Sequence, residues 1–367
     1  MSALRDKRTI DRRLDEVRDL AADLPSHVRI MEVCGTHTMA LHRSGLKPRL
    51  EEAGVEMVSG PGCPVCITPD AVHEAAIDLV TRREGFILAT FGDMTRVPTR
   101  KGSLREAVPA PGSVVRIVYS PEDALDAARK DPGKEVVFFG AGFETTIPGI
   151  AYTARRASEE KVRNYSVLTA LWLIPPAIRA ILQAGECAVT GFLYPGHVSA
   201  IIGESPYAFV AGEFGIPGAI AGFEPLEMLN GILSIMDQVK KGSPGVANEY
   251  RRVVRPEGNP VARALMDATL ELKDAVWRGL GRIPGSGLKL RPRYSDFDAE
   301  TKYGLDTGRA IREAPGCRCG EVLRGVIRPA DCRLFGKRCT PDSPLGPCMV
   351  STEGACLITH RYARNGA

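Results

Sequence analysis

Between about Val28 and Phe223 the chain repeats one pattern: a short apolar run stops at a turn that carries glycine or a reactive side chain. VRIMEV runs into CGTHT, VEMVS into GPGCPVC, FILAT into FGDM, and VVFFG into AGFETT. YSVLTALWLI, and AVTGFLY before PGHVS, continue the series. Short, mainly apolar runs with helical patterns between them indicate βα units around a mostly parallel sheet, whose strands are covered on both faces by crossover helices. Ligand sites in such sheets lie beyond the carboxyl ends of the strands, so the turns CGTHT, GPGCPVC, FGDM and GFETT are expected to converge on one cleft.

The chain has 367 residues, more than one ordinary core accommodates, and the runs fall into two series. Between them SPEDALDAARKDPGKE supplies a polar helix and an Asp-Pro-Gly turn, which predicts a boundary. The expected fold class is α/β: two Rossmann-like α/β lobes with parallel sheets, followed by a mostly helical and irregular C-terminal domain. Residues 1–24 are expected to form an N-terminal helix. Residues 25–120 form the lobe with CGTHT, GPGCPVC and FGDM, 121–230 the lobe with GFETT and PGHVS, and 231–367 the helical, Cys-rich part. Within the last part NPVARALMDATLELKDAVWRGL reads as helical, and from about Pro315 the chain turns irregular and rich in Cys, Gly and Pro.

The formal charge is +4, with basic and acidic residues interspersed, which argues against nucleic acid as a partner. No apolar stretch reaches the length of a membrane span, and the charged N-terminal pattern lacks a signal's apolar core, so a cytoplasmic protein without membrane attachment is expected. Neither a Walker A pattern nor a GxGxxG after a strand is present. Ten cysteines are many for a cytosolic chain, where thiols rarely form structural disulfides, and they point to metal ligation or redox chemistry. Cys34, Cys63 and Cys66 lie early, Cys187 stands alone, and Cys317, Cys319, Cys332, Cys339, Cys348 and Cys356 crowd the last stretch, which implies two chemical centres. Four thiolates complete an iron-sulfur cubane or a zinc site equally well. The paired CxxC knuckles of a zinc ribbon are missing, and spacing alone leaves the metal open.

Cys34 precedes GTHT, so its thiol and the His37 imidazole can face one small site; a buried thiol and a turn histidine are the plainer alternative. In GPGCPVCITPD, Thr68 can cap and Pro69 open the helix DAVHEAAIDLVTRRE, which sets Cys63 and Cys66 at a helix N-terminus. A CxxC thiol in that setting can have a pKa of about 7 or lower, which suits a redox dithiol; half of a zinc site is the alternative. Asp93, Arg96, Glu144, Thr145 and Thr146 lie on strand-end turns, where they can bind a ligand, a proton or a partner loop, or simply close the turn. His197 of PGHVS has no definite role, and Cys187 reads as a small buried hydrophobe.

CGTHT (Cys34 to Thr38), GPGCPVCIT (Gly60 to Thr68), FGDMTRVP (Phe91 to Pro98), GFETT (Gly142 to Thr146), PGHVS (Pro195 to Ser199) and CTPDSPLGPCMVSTEGAC (Cys339 to Cys356) resemble, in order and across nearly the whole chain, the signature blocks of the HypD family. The resemblance implies a [NiFe]-hydrogenase maturation factor. With a HypC-type chaperone and a HypE-type cyanide donor, it would form the scaffold on which the Fe(CN)2CO unit is assembled. It implies Cys34 as the ligand of that iron, assisted by His37 through hydrogen bonding or proton transfer. It also implies a [4Fe-4S] cluster, and the family spacing C-x12-C-x6-C-x16-C selects Cys319, Cys332, Cys339 and Cys356, leaving Cys317 and Cys348 as possible substitutes. Cys63 and Cys66 then resemble the dithiol that ferredoxin:thioredoxin reductase sets beside its cubane. This chain has Thr99 where the family has glycine after RVP. The competing functions are a ferredoxin-dependent disulfide oxidoreductase and a zinc protein that only binds partners.

Overall fold

The computed structural model describes residues 2–309 and 314–363. Its strands are β1 (Val28–Glu32), β2 (Val55–Ser59), β3 (Phe86–Thr90), β4 (Val114–Ile117), β5 (Glu135–Gly142), β6 (Tyr165–Trp172), β7 (Gly191–Pro195), β8 (Gly218–Ala221), β9 (Val246–Asn248), β10 (Leu270–Trp277) and β11 (Gly281–Leu290). One sheet has the order β2-β1-β7-β8-β9, and all of its pairs are parallel. The second has the order β10-β11-β6-β5-β3-β4, parallel from β6 to β4 and antiparallel at the β10-β11 end. The apolar runs form the inner strands β1, β3, β5, β6 and β7 and the edge strand β2, and β3, β6 and β7 are buried at every residue, as helices on both faces require.

The two sheets do not follow the sequential division at residue 120. β1 and β2 pair with β7, β8 and β9, whereas β3 to β6 are completed by β10 and β11. CGTHT, GPGCPVC and PGHVS therefore share one sheet, and FGDM and GFETT the other. The expected boundary is instead a crossover helix, Pro121–Lys130, between β4 and β5, opened by a Ser120–Asp123 capping box. A capped polar helix followed by a turn looks the same locally at a crossover as at a boundary.

NPVARALMDATLELKDAVWRGL is also not one helix. Asn259 caps the helix Pro260–Thr269 by accepting the N–H groups of Val261 and Ala262, and from Leu270 the chain is strand β10. Leu270, Ala275 and Trp277 turn inward, β11 returns antiparallel, and Gly287 pairs with Trp172 to join the hairpin to β6. The Trp277 indole donates to Ser286 across the hairpin at 2.9 Å. Covering a sheet edge and burying Trp277 outweighs the helical pattern of so short a segment.

The N-terminal helix Lys7–Asp23 is capped by Asp6 and packs Ile10, Leu14 and Val17 towards the helix Pro225–Lys241 of the first sheet. The Cys-rich end is irregular as expected, with short helices Cys319–Leu323 and Ala355–Ala363 and 3-10 turns at Pro329–Asp331 and Pro347–Met349. Among the described residues no helix is long and apolar enough to cross a membrane.

Candidate functional site

At the carboxyl ends of β1 and β2, Glu32 pairs with Ser59 and the two following turns lie on each other. The Gly60 N–H donates to Glu32 O (2.7 Å) and the Gly35 N–H to Gly62 O (2.9 Å). A Cβ at Gly62 would stand 2.3 Å from the Cys34 nitrogen, so the GPG turn needs glycine for close approach. Cys34 forms the N-cap of the helix Gly35–Arg43. Burial, with Glu353 alongside, pushes its thiol up to about 12, against the favourable amides of His37 and Thr36. The Glu32 carboxyl is raised to about 7 by burial although it accepts from Thr38 Oγ1 (2.6 Å) and the Cys34 N–H (3.3 Å).

His37 is buried, which lowers its pKa to about 4 and keeps it neutral. Its Nε2 lies 3.0 Å from the Gly222 carbonyl, so that nitrogen carries the proton, while Nδ1 has no partner among the described residues. Phe223 makes tilted ring contacts with both His37 (centroids 4.7 Å) and His197 (3.9 Å), so PGHVS reaches the same site through a ring contact.

The second sheet reaches the site through the C-terminal segment. Asp93 Oδ2 accepts the Thr352 N–H (2.8 Å) and hydroxyl (2.9 Å), and Arg96 Nη2 donates to Asp93 and to the Val350 carbonyl, both at 2.9 Å. This grip presents Glu353, which accepts from Thr36 Oγ1 (2.8 Å) and fills the space a Cβ at Gly35 would need. Sequence reasoning missed Glu353 as a site residue, although it stands within CTPDSPLGPCMVSTEGAC; an acidic residue flanked by small residues was the available signal. Glu144 accepts the Ile174 N–H at 3.0 Å, its Oε2 has no partner among the described residues, and burial raises its carboxyl to about 8. Thr146 packs on Gly142, and Thr145 is exposed.

Cys63 and Cys66 are joined by a disulfide and buried. Cys63 Sγ accepts the Cys66 N–H at 3.1 Å and caps the short helix Pro64–Ile67. The expected Thr68 cap is not made: Pro69 precedes the helix Asp70–Arg82, and the Thr68 hydroxyl donates to Pro64 O (2.7 Å) and accepts from Trp172 Nε1 (3.2 Å). Cys66 Sγ lies 3.9 Å from the carbonyl of Pro347, the residue before Cys348.

Cys317, Cys319, Cys332, Cys339, Cys348 and Cys356 line one cavity, together with Val322, Leu334, Phe335 and Met349. Cys319 is hydrogen-bonded to Cys317, which favours its thiolate, but its contact with Cys348 and its burial prevail and push the thiol well up. Cys348 bonds in turn to Cys319 and Cys356, and it too is driven well up. The four cysteines of the family spacing and the two substitutes thus face the same space. Among the described residues no group of three or more His, Cys, Asp or Glu forms a ready-made site for a metal ion. Cys187 lies apart, its Sγ 3.4 Å from the Gly325 carbonyl.

Fold and site together define a thiol-rich α/β protein whose reactive groups gather at the strand ends between two sheets. A family model described as HypD, hydrogenase formation hypA family, matches residues 8–363. The hydrogenase maturation factor HypD of Rhodobacter capsulatus is 44% identical over 95% of this chain and 93% of its own length. That of Rhizobium leguminosarum bv. viciae is 43% identical over 96% and 95%, and that of Escherichia coli (strain K12) 43% over 91% and 89%. The chain belongs to the HypD family of hydrogenase maturation factors.

Proposed function

We propose that the chain is the cytoplasmic scaffold on which the Fe(CN)2CO unit of [NiFe]-hydrogenases is assembled, sharing the iron with a HypC-type chaperone and receiving cyanide from a HypE-type donor. The observation that carries this reading is the convergence on Cys34 of the disulfide loop, through Gly62, and of the cysteine-rich segment, through Glu353. Cys34 is the ligand of the substrate iron, a soft thiolate suited to iron carrying cyanide and CO. Its thiol is protonated without metal, so a proton leaves as iron binds. Glu353 and Glu32, whose charges act on that thiol, are placed to take it. Neutral His37 holds the Gly222 carbonyl and steadies the turn.

The donor set fits a [4Fe-4S] cluster held by Cys319, Cys332, Cys339 and Cys356. Arg318 is the one charged side chain on the cavity wall and is paired with Glu321, so several thiols gathered there are costly to ionise unless a further cationic group compensates them, as bound iron would. When bound, the cluster would supply electron-transfer capacity, and Cys66 touches the carbonyl of Pro347, the neighbour of the cavity residue Cys348. Reduction of the Cys63–Cys66 disulfide takes two electrons and two protons and yields two thiols. A free-standing disulfide oxidoreductase is the weaker reading, because Cys63 and Cys66 are only 2% and 0% exposed and offer no access to a protein disulfide.

Infrared spectroscopy of the protein purified with a HypC-type partner tests the scaffold role. Cyanide and CO stretches are expected for the wild type and absent for Cys34→Ala, which keeps its cluster iron and sulfide. Stretches that survive in Cys34→Ala, or never occur in the wild-type complex, refute it.

A further inference from the structure

We infer that the loop from Cys332 to Cys339 is the docking face for a small acidic electron-carrier protein. The inference rests on the proposal that the thiol cavity holds an iron-sulfur cluster. In CRLFGKRC the side chains sort by chemistry: Leu334 and Phe335 line the cavity, whereas Arg333, Lys337 and Arg338 are exposed. None of these three cations has a carboxylate partner among the described residues, unlike Arg318, Arg324 and Arg328, which pair with Glu321, Glu186 and Glu56. From residue 315 to 345 there are six basic residues (Arg318, Arg324, Arg328, Arg333, Lys337, Arg338) and three acidic ones (Glu321, Asp331, Asp342), an excess of three in a chain whose net charge is +4.

The loop is also rigid. Phe335 N–H donates to Cys332 O (2.9 Å), Gly336 N–H to Cys339 O (3.1 Å), and Cys339 N–H to Leu334 O (2.9 Å), with Gly336 in the left-handed region at φ 65°. Its three cations are therefore held on the outer side of the very wall that encloses the cysteines. A positive patch there attracts an acidic partner over about a Debye length, and the attraction fades with salt. Three cations on a tight turn track no phosphate backbone, so a protein is the fitting partner. At each encounter the carrier is oxidised by one electron and this chain's metal centre is reduced by one; no bond forms or breaks.

The test uses the full chain with its cluster reconstituted, titrated calorimetrically with an acidic [2Fe-2S] ferredoxin at low salt and at about 0.3 M salt. Kd is expected to rise roughly tenfold with salt and again in the Lys337→Glu, Arg338→Glu double variant. Electron transfer from the reduced ferredoxin slows in parallel, while reduction by dithionite is unchanged. Lys240→Glu with Lys241→Glu, on the helix Pro225–Lys241, makes the same change in net charge and leaves Kd as in the wild type. A loaded protein whose affinity ignores salt and the loop variant, or that does not bind, overturns the inference alone. A chain that takes up no iron and sulfide overturns the cluster reading and the inference with it.

Discussion

The backbone of Gly62 rests on the backbone of Cys34, with the position of a Cβ at Gly62 only 2.4 Å from the Cys34 Cα. The atoms it would meet are backbone, so no flexible side chain can yield. Gly62→Ala is expected to separate the two turns and to destabilise the protein by about 2–4 kcal/mol in denaturant unfolding. Cys34 should then react faster with a small alkylating reagent. Wild-type stability together with wild-type reactivity would contradict this packing.

Asp93 holds Thr352 through two hydrogen bonds, and Arg96 adds a third contact to Val350. Asp93→Ala removes the acceptor and leaves Arg96 without its carboxylate. Backbone amides near Thr352 are expected to exchange with deuterium faster, at a cost of about 1–3 kcal/mol for charge-assisted bonds. Unchanged protection there would show that the grip is dispensable.

Cys332→Ser and Cys339→Ser are expected to abolish bound iron and sulfide and to loosen the C-terminal region, because the metal contributes to its folding. Cys317→Ser and Cys348→Ser keep both. Iron and sulfide analysis of the anaerobically purified variants decides, and full retention in both of the first pair means the ligands are chosen wrongly.

Cys63 and Cys66 are expected to convert together between disulfide and dithiol when the protein is poised anaerobically across a range of potentials and trapped by alkylation. Cys63→Ala and Cys66→Ala should fold and keep the cluster yet fail to mature hydrogenase. Independent titration of the two cysteines, or normal maturation by both variants, would make the pair structural.

Glu144 has its pKa raised by burial from 4.5 to about 8. Between those values the folded state keeps a proton that the unfolded state has lost, so this group lowers stability progressively as pH rises from 4.5, and the full cost is reached above about 8. Glu144→Gln keeps an acceptor for the Ile174 N–H and cannot ionise. The variant's stability relative to wild type is expected to grow between pH 5 and pH 8, by on the order of a few kcal/mol. Denaturant melts across that range measure it, and a pH-independent difference would mean that Glu144 ionises freely in the folded protein.

Much of the fold was legible because β1, β2, β3, β5 and β6 carry mostly apolar residues, and all of these but β6 end at glycine or a reactive turn. Strand β4 escaped, since Val114 and Ile117 are exposed and leave no clear pattern. LELKDAVW escaped because its inward residues become strand-like only once β11 lies beside them. The reactive side chains in the turns were legible as types, but not their company: Glu353 meets Thr36 across 317 residues.

The sequence by itself determined the strand runs, the glycine turns, the separation of early from late cysteines and the family, because backbone sterics, capping and apolar periodicity act over a few residues. Only the tertiary structure decided that β1 pairs with β7, that Asp93 grips Thr352, and that the GPG loop and Glu353 close on Cys34. Those choices follow from burying whole sheet faces and satisfying backbone groups at once, a condition on the complete chain that no local segment records.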